Sequence, residues 1–87
     1  GSGEVQSSML ISDEIENNLR YILNELNEKS VKLWANPYIA AYLTKGIPSI
    51  QMKWFMQYKI WVSIKAINSY HFLEYHFLNK LEEEIKL

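Results

Sequence analysis

The sequence predicts an all-α fold: a small bundle of three helices, or four if the long C-terminal run breaks near Asn68-Ser69. Three features carry that expectation. The run from Ser49 to Lys86 contains no Gly and no Pro, and its apolar residues recur mostly at offsets of three and four, the spacing of a helix face. A second stretch, from Ser12 toward Trp34, is amphipathic on one side only. Between them lies a short apolar piece bounded by Asn36-Pro37 and Gly46, a pattern of helix stop, restart and stop.

The first helix is expected to begin at Ser12 or Asp13. Either side chain can accept from an unsatisfied N–H of the first turn, and Asp13, Glu14 and Glu16 suit the positive end of the helix dipole. Ile15, Leu19, Ile22, Leu23, Leu26, Leu33 and Trp34 form its apolar side. Asn36 caps a second, short helix that has Pro37 in its first turn and runs to about Lys45. Gly46 sits where a left-handed residue closes such a helix, with Ile47 folding back on Tyr42. Pro48 and Ser49 then launch the long run, with Ser49 or Ile47 as its cap. Residues 1–8, which open Gly-Ser-Gly, read as a cloning remnant or disordered leader, and residues 9–87 as a single helical domain.

On a helical wheel the long run is apolar on two sides. Met52, Met56, Ile60, Ile67, Tyr70, Leu73, Phe77, Leu78, Leu81 and Ile85 form a broad stripe. Roughly opposite, at offsets of 4, 7, 11 and 18 from Trp54, stand Tyr58, Trp61, Lys65 and Phe72. A straight helix over this run would span roughly 57 Å at about 1.5 Å per residue, whereas a compact chain of this size has a radius of gyration of about 12 Å. The run therefore bends, or its uncovered part packs on another chain.

Composition excludes several functions. Cys is absent, so no disulfide framework or thiolate metal site exists. No apolar run reaches membrane-spanning length, because Lys53, Lys59 and Lys65 interrupt the richest stretch, and no secretory signal is evident. The expectation is a soluble intracellular, cytoplasmic protein. His71 and His76 lie five apart, which on a helix separates them by about 140° and rules out a shared metal. No phosphate-binding glycine loop, nucleophile motif or paired carboxylates between Lys29 and Leu73 can be found. No internal repeat is evident. The chain thus reads as a non-enzyme with no cofactor, no metal, no catalytic residue and no small-molecule substrate.

Charge is segregated behind a net value of −1: residues 1–28 carry six acids against Arg20, and residues 29–73 carry six lysines and no acid. One reading sets the acidic first helix beside the basic centre; the other leaves a basic surface for an anionic partner. Lys53, Trp54, Tyr58, Trp61, Lys65 and Phe72 are the candidate partner-binding residues. The functional expectation is a protein-interaction module, an accessory subunit or regulator, that binds a protein partner or itself as a homodimer through the aromatic face of its long C-terminal helix. The alternative is a small helical nucleic-acid-binding domain that stacks bases on the aromatics and meets phosphates with Lys53 and Lys65.

Overall fold

The chain folds as an α+β domain, which corrects the all-α expectation. The computed structural model describes residues 2–87, with side chains described from Leu10 onward. Its elements are α1 (Ser2–Glu25), β1 (Lys32–Ala35), α2 (Pro37–Thr44), α3 (Ile50–Tyr58), β2 (Ser63–Ala66) and β3 (Tyr75–Leu78). The strands form one mixed sheet in the order β2-β1-β3. β1 pairs in parallel with β2, Leu33 opposite Ile64, and antiparallel with β3, Leu33 opposite Phe77. A parallel pair needs a crossover connection, and α2 with α3 supplies it.

The helical bundle fails at left-handed residues. Asn27, at φ 55°, follows the end of α1, and the Glu28 N–H reaches back to the Ile22 carbonyl at 3.4 Å. Asn tolerates this conformation better than most residues. Leu33 and Trp34, expected on the first helix, therefore lie on a strand and point to opposite faces of the sheet. Lys59, at φ 61°, ends α3 after nine residues, so the long helix stops where the second apolar face was to continue. At its other end α1 extends back to Ser2, placing Ser12 within the helix and not at its cap.

Shorter-range expectations fare better. Asn36 caps α2, its side chain accepting from the Tyr38 N–H at 2.8 Å, and Pro37 occupies the first turn. Ser49 caps α3, accepting from the Met52 N–H at 3.1 Å. Gly46 takes a positive φ of 82° after α2, but Ile47 is exposed and does not fold back on Tyr42. The Ile47-Pro48 peptide is cis.

All three helices contribute to one core. Ile15, Leu19 and Ile22 of α1, Ile39 and Leu43 of α2 and Trp54 of α3 pack with Leu33, Ala35, Val62 and Phe77. Alternation along β1 sends Leu33 and Ala35 into this core and leaves Lys32 and Trp34 half-buried on the other face. Beyond β3 the chain turns at Asn79–Glu83 and comes back beside the strand, with Ile85 joining the core. The C-terminal residues thus lie against β3 and do not continue a helix. The radius of gyration is 12.5 Å, the value a compact chain of this length requires.

The expectation of no internal repeat is also corrected: Tyr-His-Phe-Leu occurs at residues 70–73 and again at 75–78. The first copy lies in a turn closed by the Glu74 N–H, which donates to the His71 carbonyl at 3.0 Å, while the second is β3.

Asn36 ties the end of β1 to the start of α2 and to the loop before β3. Its N–H donates to the Glu74 carbonyl at 3.0 Å and its side-chain amide to the Tyr70 carbonyl at 2.9 Å. Replacing Asn36 with Ala should destabilise the fold by about 2 kcal/mol through the lost cap and loop bond. Lys59→Gly should stabilise it by about 1 kcal/mol by relieving a left-handed side-chain-bearing residue. Urea titration of both variants against the parent chain checks the two signs.

Candidate interaction surface

A row of exposed apolar side chains is built on α3. Its cap fixes the helix start at Ser49, and its phase then follows from Trp54, whose indole is inserted into the core and 2% exposed. With that side turned inward, Met52, Phe55 and Met56 fall on the solvent side, at the spacing of one helical row. Phe55 is 48% and Met56 56% exposed. Trp61, 50% exposed, stands three residues past the end of α3 and packs its edge against Phe55, ring centroids 6.0 Å apart at 72°. Lys53, Gln57 and Lys59 are exposed around the row.

The six candidate residues do not share one face, because the helix that would align them ends at Tyr58. Lys53 and Trp61 belong to the α3 surface. Trp54 is core. Tyr58 is half-buried, and its hydroxyl donates to a Glu16 carboxylate oxygen at 2.7 Å. Burial, reinforced by that carboxylate, pushes the Tyr58 phenol up to about 12. Lys65 lies on the outer face of the sheet, with its ammonium 5.1 Å from the centre of the Trp34 ring, a cation–π contact. Phe72 is exposed in the loop before β3 and stacks on Tyr38 of α2, with centroids 4.9 Å apart.

Phe55 is not among the six candidates, and Met52 and Met56 fall on the broad stripe of the helical wheel, the side expected to face a core. The row 52-55-56-59 has helical spacing and was visible in the sequence. Which of the two apolar sides turns inward is decided by packing, here by the fit of one indole.

The acids of α1 meet tyrosines. Glu14 accepts from the Tyr75 hydroxyl at 2.5 Å, and Asn18 donates to the same oxygen at 2.9 Å. Burial, with Glu14 beside it, pushes the Tyr75 phenol well up. Lys53 and Lys59 lie exposed at the rim of the α3 surface, away from these carboxylates. A shallow groove of about 330 Å³ lies between Leu23, Asn24, Glu28, Lys29, Tyr58 and Ile60, but its phenol is already committed to Glu16.

Among the described residues, no three His, Cys, Asp or Glu side chains converge to hold a metal ion. No helix among them is long and apolar enough to cross a membrane. Comparison with protein-family models, curated proteins and solved structures finds no match to this chain.

Trp54 and Trp61 make opposite predictions. Trp54→Ala should cost about 3–5 kcal/mol, the range for emptying a large core site. Trp61→Ala should change stability by less than about 1 kcal/mol, as surface substitutions do. Urea unfolding followed by far-ultraviolet circular dichroism distinguishes them; equal losses would place Trp61 in the core.

Proposed function

We propose that this chain is a non-enzymatic protein-interaction module, an accessory subunit or regulator working in the cytoplasm, that docks a protein partner on the outer face of α3. The observation that carries this reading is the exposed Phe55–Trp61 pair beside Met52 and Met56. The fold has seated another indole, Trp54, in its core, so the solvent position of Trp61 is not a general failure to bury aromatic mass. Aromatic side chains bury about 150–250 Å² each. Covering the exposed halves of two rings and two methionines removes a few hundred Å² from water, supporting several kcal/mol at about 25 cal/mol per Å² before the costs of association. That is the scale of a hot spot inside a small, transient interface. Methionine adapts its shape to different contacts, and Lys53 and Lys59 give the rim a positive charge.

The nucleic-acid alternative has weaker support. Of the residues it would use, Trp54 is buried and Tyr58 has its hydroxyl on Glu16, while Lys65 already caps Trp34.

The test places a benzophenone photo-crosslinker at Gln57, on the rim, and identifies what it traps in a lysate. The purified partner is then titrated against the parent chain, Trp61→Ala and Met56→Glu. Each substitution should weaken binding at least about tenfold with circular dichroism unchanged, as loss of a hot-spot anchor does. An affinity unmoved by both variants overturns the reading. Self-capture with dimerisation in sedimentation makes a second copy the occupant, and salt-reversible binding of an oligonucleotide through Lys53 and Lys65 makes it a nucleic acid.

A further inference from the structure

The strand edge opposite to β2 is closed by the chain itself. After β3, the Asn79 N–H donates to the Glu83 carbonyl and the Glu82 N–H to the Asn79 carbonyl, both at 2.9 Å. The Asn79 side chain accepts from the Leu81 and Glu83 N–H groups. The returning segment then touches β3 through one bridge, Leu78 with Glu84, and through the Ile85 N–H, which donates to the Phe77 carbonyl at 2.8 Å. So short a ladder leaves little backbone hydrogen bonding to hold it.

His76, in the middle of β3, reinforces that contact. Its Nδ1 lies 3.0 Å from a Glu84 carboxylate oxygen, and its Nε2 lies 2.9 Å from Glu74. The Tyr70 ring meets the imidazole edge-on at 5.2 Å. Across the ladder the neighbour is Trp34, under the Lys65 ammonium. Farther along the same face Lys32 pairs with Glu82 at 3.0 Å.

An imidazole between two carboxylates donates to both only when both nitrogens carry protons. Once neutral, it keeps one N–H and turns a lone pair toward the other carboxylate. The loser is set by geometry: the second oxygen of Glu74 accepts the His71 N–H at 3.0 Å, which fixes Glu74 independently of the imidazole. Glu84 sits on the weakly held segment.

We propose that Glu74, His76 and Glu84 form a proton-operated clasp that holds the C-terminal return against β3, and that deprotonation of His76 loosens the return and uncovers the strand edge. Consistent with this geometry, the hydrogen bond to Glu74, aided by Glu84, holds the imidazole above its ordinary value against the opposing effect of burial. A raised folded-state value puts the clasp's full contribution below the unfolded imidazole value of about 6.5. The contribution is lost as pH rises through the folded-state value. The contact is partly solvent-screened, so the release is a local loosening and not global unfolding.

The test is NMR on the whole chain across this pH range, reading the His76 ring carbons and the protection factor of the Ile85 amide. Ile85 protection should fall about fivefold with the same midpoint as His76, the scale of a half-exposed ion pair, while protection of the Leu33 amide stays constant. Glu84→Gln should lower the His76 midpoint and leave Ile85 protection low and independent of pH. His71→Gln, the control for the second imidazole, should keep the wild-type response. Ile85 protection that stays flat while His76 titrates overturns the clasp. So does a pH response that survives in Glu84→Gln, or one that disappears in His71→Gln.

Discussion

A central strand must satisfy its backbone on both sides, and that constraint organises this fold. β1 is only four residues long, yet it takes β2 along one edge and β3 along the other. A buried N–H or C=O left unpaired costs on the order of 1–3 kcal/mol, so β1 holds its place only with both neighbours present. Asn36 continues the arrangement past the strand end by bonding the loop that delivers β3. The helices then cover the face to which Leu33, Ala35 and Phe77 point.

The parts of the fold legible in the sequence are those governed by neighbouring residues. The caps at Asn36 and Ser49, the proline in the first turn of α2 and the left-handed Gly46 are local chemistry. The row Ile15, Leu19 and Ile22 is a helical face that did become core. The strands were hidden because four-residue segments carry too few alternations to compete with a helical pattern. Leu26 and Leu33 are seven apart, which imitates two helical turns across a break. A usable signal did exist in Ile60-Trp61-Val62-Ser63-Ile64-Lys65, where every second residue is β-branched and the intervening ones are exposed. The twin Tyr-His-Phe-Leu segments show the limit of local reasoning. Identical side chains form a turn in one place and a strand in the other, where only the second copy pairs with β1.

The same distinction governs the candidate surface. Sequence spacing identified Trp61 and Lys53 but grouped them with Trp54, which the core takes. It also placed Met52 and Met56 inside, when they are outside. An apolar row on each side of a short helix leaves two choices of phase, and the volume of the Trp54 indole settles which row is covered. The acids of α1 add a second effect invisible in charge counting: Glu14 and Glu16 accept from tyrosine hydroxyls, so charge segregation along the chain does not become lysine pairing across it.

The register of the sheet also bears on how the chain is made. Lys32 pairs with Ser63 and with Leu78, so both ladders close over loops of roughly thirty residues or more, and contacts of such separation form late. During synthesis β1 is made before either of its partners. Until Leu78 has followed, the apolar rows of α1 and α2 have no sheet to cover, and the nascent chain carries them exposed. The order of the strands in space, with the first to be made lying between the last two, makes folding on the ribosome a wait for the end of the domain.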